Sequence, residues 1–190
     1  MIPRQNIPVL MAALVKKART EGLTPGKTFM QKAFYLIQEG LGIEFIYGKK
    51  VSPLEFYPYI YGPYSPDVAF FTDLASGQGM IDMRYDPDGY GVEIREGERS
   101  ESEIGKLDDE SKKAVEKIVN LFVALKKAMP EIPEAGLWEL IASVHYVRRR
   151  MERAGKECTP EKIKSALVRW KPHLEGADVD KVLELLKELE

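Results

Sequence analysis

Few residues in this chain are of types that do chemistry, and their spacing limits what each can do. Residues 22–28, GLTPGKT, have the glycines, lysine and threonine of a phosphate-binding loop. That motif needs four residues between its glycines and follows a strand, whereas three residues separate Gly22 from Gly26 and a helical pattern precedes them. Thr24 before Pro25 reads instead as a helix cap with proline in the first turn. His145 and His173 are the only histidines and Cys158 the only cysteine, so no zinc-ligand spacing exists and no internal disulfide can form. Ser143 and His145 stand two apart on a helical pattern, so they point apart and make no nucleophile–base pair. His145 reads as a hydrogen-bonded residue of the core or its boundary. Asp82, Asp86 and Asp88 bring carboxylates together in sequence, but Pro87 and Gly89 mark Asp86 and Asp88 as turn residues. Met80 and Met83 read as core filler. The expectation is a protein that is not an enzyme, with no catalytic residues, no cofactor and no metal.

What the chain concentrates instead is aromatic surface. Residues 57–66, YPYIYGPYSP, hold four tyrosines and three prolines. In an extended segment Tyr57, Tyr59 and Tyr61 share one face, with Phe56, Pro58 and Ile60 on the other. Pro58 cannot donate to a ladder, which confines the segment to an edge. Gly62-Pro63 is expected to turn the chain and bring Tyr64 to the start of the next helix. Two readings stay open. The rings cap the edge of the core with their hydroxyls bonded locally, or they form a partner-binding surface, where tyrosine gives much area at low entropic cost. Lys27, Gln31, Tyr35 and Gln38 fall within about 80° of arc on a helix and form either a solvated face or a second contact surface, with Tyr35 exposed among the glutamines. Arg148, Arg149, Arg150 and Arg153 close one helix and Lys162, Lys164, Arg169 and Lys171 follow. They complement a helix macrodipole or contact a polyanion.

The elements that must position these groups are legible by period and punctuation. Helices are predicted over 8–22, 26–40 and 65–76. In the last, Val68, Phe70, Phe71, Leu74 and Ala75 form the apolar arc and Thr72, Asp73 and Ser76 the polar one. A short strand is predicted over 44–47, a turn over 48–50, an extended segment over 54–61, and a hairpin from 80–85 and 90–96 around Asp86-Pro87-Asp88-Gly89. Residues 98–106 are charged and weakly periodic, and read as a loop. Further helices are predicted over 108–129, 133–154, 160–170 and 178–189. This order gives an α+β, mainly helical fold: a winged-helix-like unit of three helices plus a β-hairpin over 1–100, and a helical extension over 101–190 packed on it as one compact domain. In a winged helix the third helix would read DNA. Here it carries no lysine or arginine and two aspartates, which oppose phosphates.

Composition sets the remaining bounds. Hydrophobic types make up 44% of 190 residues, enough for one well-buried core. The formal charge of −2 gives no strong overall field toward nucleic acid or lipid. The charge is uneven, however: residues 145–173 hold nine Lys or Arg against three Asp or Glu, so a polyanion contact is expected there first. The first 22 residues read as an amphipathic helix, not a signal peptide, and no run reaches the roughly 18 apolar residues of a membrane span. With a single cysteine, the expected location is cytoplasmic.

The segments KTFMQKAFYLIQEG and YPYIYGPYSPDVAFFTDLASGQGMI, with LWELIASVHYVRRR later, resemble the YwgA-like family of uncharacterised bacterial and archaeal proteins. That family commonly shows a helix like LQKLLYLLQ, then Y-x-Y-G-P-Y-S, then an acidic-apolar D-L near a glycine. The likeness spans most of the chain and is most specific over Tyr59 to Ser65, with departures at Met30 and Ala33, where leucines are common. More distantly, the first two segments resemble the Panacea (SocA-like antitoxin) domain. The resemblance implies a small helix-rich α+β domain without established catalytic residues, and protein binding of the toxin-neutralising kind. The expected function is therefore a non-enzymatic interaction module, antitoxin-like or an adaptor. It would bind a protein, or a second copy of itself, through Lys27, Gln31, Tyr35, Gln38, Tyr57, Tyr59, Tyr61 and Tyr64. The alternative is a winged-helix DNA-binding regulator.

Overall fold

The computed structural model describes residues 1–87 and 91–189. The fold is α+β and mainly helical. Strand β1 (Ile2–Pro3) leads into α1 (Ile7–Thr20) and α2 (Lys27–Tyr35), which continues as a π-helical turn over Leu36–Gly40. Strands β2 (Phe45–Tyr47) and β3 (Lys50–Val51) form a small sheet with β1, parallel at β1–β2 and antiparallel at β2–β3. Then come β4 (Tyr57–Tyr59), β5 (Gly62–Tyr64), α3 (Pro66–Gly77), β6 (Ile81–Tyr85) and β7 (Val92–Glu96). The rest is helical: α4 (Ser100–Ile104), α5 (Asp109–Ala128), α6 (Glu134–Arg153), α7 (Pro160–Trp170) and α8 (Val179–Leu186).

Local signals start several of these helices, but α2 does not begin as read: its cap is Gly26 with no side-chain cap bond, and Thr24-Pro25 lies before the helix, where Pro25 O accepts from Ile94 N of β7. Ser65, Asp108, Thr159 and Asp178 each accept a hydrogen bond from the backbone N–H three residues on, at the starts of α3, α5, α7 and α8. Pro66 and Pro160 occupy first turns, where no N–H partner is needed. The centre of the core is a ring cluster from three helices. Phe122 of α5 stacks on Trp138 of α6 at 4.4 Å, and Phe29 of α2 meets both edge-on at 5.3 and 6.1 Å. One apolar cluster thus draws on both halves of the sequence.

Several expectations need correction. Helix α1 is not amphipathic: residues from Ile7 through Val15 are buried on nearly every side, because α3, α4, α5 and the β6–β7 hairpin all pack against it. Residues 98–106 are not merely a loop, since α4 forms there. Ile104 packs on the core and Glu101 pairs with Lys16 of α1, tertiary contacts that a five-residue helix needs and that periodicity cannot show. In α3 the sides are partly exchanged. Val68, Thr72 and Ala75 are the buried stripe, Thr72 Oγ1 donates to Val68 O at 2.7 Å, and Phe70 is 61% exposed. The turn chemistry expected at Asp88 and Gly89, and the expected strand residue Tyr90, lie outside the described residues. Among the described residues no helix is long and apolar enough to cross a membrane.

Candidate functional site

The site begins with α2, whose polar side faces inward. Gln31 donates from Nε2 to Ser65 O at 3.0 Å and accepts at Oε1 from Ser65 N at 2.8 Å. Seven residues on, Gln38 does the same with Leu54, at 3.0 and 2.7 Å. A glutamine amide carries the donor and acceptor of a peptide unit, so each satisfies one residue of the incoming chain as a strand would. Lys32 Nζ donates to Pro63 O at 2.8 Å. Tyr35 is buried and its hydroxyl lies 2.9 Å from His145 Nδ1. Burial, with Arg149 and Arg148 nearby, holds His145 down at about 4, and burial raises Tyr35 well above the usual phenol range. The phenol therefore keeps its proton and donates to the neutral imidazole.

The expectation of an exposed Tyr35 on a solvated or partner-facing surface is thus corrected, and Gln31 and Gln38 are likewise committed to the chain itself. Helical spacing identified these residues as one group, but their partner is the segment 54–65. Buried Gln31 and Tyr35 and half-buried Gln38 satisfy the rule that such groups are hydrogen-bonded, through residues 16 to 110 positions away.

That segment forms the β4–β5 hairpin, with Tyr57 opposite Tyr64, Pro58 opposite Pro63 and Tyr59 opposite Gly62. The turn is therefore Ile60-Tyr61, and Gly62-Pro63 belongs to the second strand. Among the described residues no non-glycine residue has positive φ, so a primed turn at Ile60-Tyr61 is excluded; Gly62, at φ +91°, takes the left-handed position that follows. A Cβ there would stand 3.0 Å from Ser143 Oγ and 3.3 Å from Lys32 Cε. Strand β5 is the inner one, with Gly62 and Pro63 buried, and β4 is exposed along its length. Alternation does not divide β4 into an inner and an outer face, because α2 and α6 pack on β5.

Beneath the hairpin lies a polar cluster that the sequence reading missed. Lys171 Nζ donates to Glu139 Oε1 at 2.7 Å, to Tyr59 O at 3.3 Å and to Ile60 O, and stands 4.7 Å from the centre of the Trp170 ring. His173 Nε2 lies 3.0 Å from the same Glu139 oxygen. Lys171 and Lys32 thus hold carbonyls at both ends of the turn from the protein side. The available signal was Glu139 and Ser143, four apart on an otherwise apolar helix face.

With its backbone held below, the hairpin presents Tyr57, Tyr59, Ile60 and Tyr61 outward, Tyr59 54% and Tyr61 61% exposed. The Tyr59 and Tyr64 rings pack at 5.3 Å, and Tyr57 donates to Glu55. A cleft of about 260 Å³ opens between the hairpin, α2 and α3, lined by Lys27, Gln31, Lys32, Tyr59, Tyr61, Tyr64 and Asp73 among others. It unites five of the expected contact residues; Tyr35, Gln38 and Tyr57 lie outside it. A wider cleft of about 530 Å³ lies on the other side of Lys27, along 24–29 and Tyr85. There Ile94 N donates to Pro25 O at 2.8 Å, and a Cβ on Gly26 would meet Val92 O at 2.7 Å. The 22–28 loop is thus strapped to β7.

The basic block is largely occupied by its own chain. Arg148 and Arg149 pair with Glu152 at 2.8 and 3.0 Å, Arg153 with Glu39 at 2.6 Å, and Arg150 lies 5.8 Å from the Tyr146 ring centre. Compared with protein-family models, curated protein sequences and solved structures, the chain matches none.

Proposed function

We propose that this protein is a non-enzymatic interaction module that recognises a protein partner through the β4–β5 hairpin. The observation that carries this reading is the contrast across that hairpin. Its backbone is fixed by Lys32, Lys171 and Gly62, while Tyr59, Ile60 and Tyr61 project into solvent. A preorganised backbone with exposed aromatic rings lowers the ordering cost of association and offers large amphipathic contact area. The resemblance to YwgA-like and Panacea proteins agrees with an antitoxin-like or adaptor role.

In the same reading, α1, α2, α3 and the β6–β7 hairpin form a winged-helix-like unit. Its third helix is poorly suited to DNA. The residues α3 exposes include Phe70 and Asp73, and it carries no cation. Elsewhere Arg148 and Arg149 are engaged with Glu152 and Arg153 with Glu39, and Arg150 lies against the Tyr146 ring.

The test is affinity capture from native lysate with and without nuclease, using the wild-type chain and a Tyr59→Ala/Tyr61→Ala variant. A nuclease-resistant protein should be retained by the wild type and lost by the variant. Because both rings are exposed, the melting temperature should stay within about 2 °C. Undiminished capture by the variant would overturn the reading.

A further inference from the structure

We propose that the cleft between the hairpin, α2 and α3 receives a carboxylate from a peptide segment of the protein partner, with Lys32 as its counter-ion; this rests on the reading above and names the chemistry of the contact. Lys32 lines the cleft and is only 2% exposed. An ammonium has three donors, yet among the described residues Lys32 Nζ makes one hydrogen bond, to Pro63 O, and has no carboxylate within ion-pair distance. Glu139, the nearby acid on α6, is already shared by Lys171 and His173. Ser143 Oγ, also on α6 and fully buried, has no hydrogen-bond partner among the described residues. A buried cation without a counter-ion is costly, and an incoming anion removes that cost.

Charge complementarity selects the kind of anion. The cleft is lined by Lys32, by Lys27, whose ammonium stands 5.4 Å from the centre of the Tyr85 ring, and by Asp73. That balance suits one negative charge; a phosphate dianion would be under-neutralised and would be repelled by Asp73. The tyrosine walls suit the apolar part of a peptide, with the phenols of Tyr59, Tyr61 and Tyr64 free to meet its polar edge.

Burial and the charge of Lys171 lower Lys32 to about 7, against the opposing pull of Glu139. Lys32 therefore exchanges its proton near neutrality in the free protein. A bound carboxylate favours the ammonium, so binding takes up a proton and weakens as pH rises above about 7.

The experiment is an NMR titration of the isotope-labelled full chain, following the Lys32 side-chain signals. The probes are N-acetyl-glycyl-phenylalanine as free acid, the same compound as its amide, N-acetyl-glutamyl-phenylalanine amide, and inorganic phosphate. One or both acids should bind and raise the Lys32 titration midpoint, the two distinguishing a terminal from a side-chain carboxylate. The neutral amide should leave it unmoved. Lys32→Met should weaken the acid about 30-fold or more. Equal binding of acid and amide, an unmoved Lys32 signal, no binding, or phosphate binding as tightly as the acids overturns the proposal. These readouts use the wild-type chain and do not depend on the variant folding. If they fail while Tyr59→Ala/Tyr61→Ala still abolishes capture, the hairpin surface stands and the carboxylate contact falls.

Discussion

His145 shows how one buried group writes a pH response into this fold. Its imidazole is held near 4 by burial, with Arg149 and Arg148 adding to the effect and Glu39 and Glu152 opposing it. The unfolded chain would protonate it near 6.5, so between those values the unfolded state binds the proton first. The stability that His145 contributes is complete above 6.5 and is lost as pH falls toward 4. Between pH 6.5 and about pH 5 the loss should be about 1–2 kcal/mol. Urea midpoints measured across that window should fall for the wild type. They should fall less for His145→Gln, which keeps a polar partner for Tyr35 but cannot take up the proton. Parallel slopes for the two proteins would show that His145 is not the responsible group.

At the scale of the element, α2 is a scaffold for the tyrosine segment. Gln31 and Gln38 lie two turns apart and pair with Ser65 and Leu54, so the helix pins both ends of the segment that contains the hairpin. Replacing Gln31 by alanine leaves the buried N–H and C=O of Ser65 without that partner, at a cost of about 1–3 kcal/mol. Hydrogen exchange at the Ser65 amide should quicken by more than the global loss of stability explains. Gln38→Ala, at a half-buried position, should have the smaller effect. Equal protection of Ser65 in wild type and Gln31→Ala would mean that the hairpin is held without the glutamine. The short α4 follows the same logic from the other side, forming where contacts with α1 compensate for its length.

At the scale of the molecule, local charge is more balanced than the sequence blocks suggest. The nine cations over 145–173 include Arg148, Arg149, Arg153, Lys162 and Lys171, each paired with a carboxylate on the chain. That pairing lowers the field left to draw in a polyanion, although Arg150, Lys156, Lys164 and Arg169 pair with no carboxylate among the described residues. Duplex DNA at low ionic strength is therefore expected to produce no mobility shift. A shift that falls steeply with salt, and disappears in Arg148→Glu/Arg149→Glu, would restore the DNA-binding reading.

Much of this architecture is set by interactions within a few residues, and those were readable. The cap-then-proline start at Ser65-Pro66, helix starts near 108 and 160, and the pairing of 81–85 with 92–96 depend on backbone geometry that neighbours determine. The aromatic corner was likewise visible as a cluster, and Tyr57, Tyr59 and Tyr61 are exposed while Tyr64 is half-buried. What only the tertiary structure decided is which polar residues are inside. Gln31, Lys32, Tyr35 and Lys171 have the sequence pattern of surface residues, yet they are buried. Their burial is tolerable because partners from distant segments replace water, and such long-range pairing leaves no periodic trace along the chain.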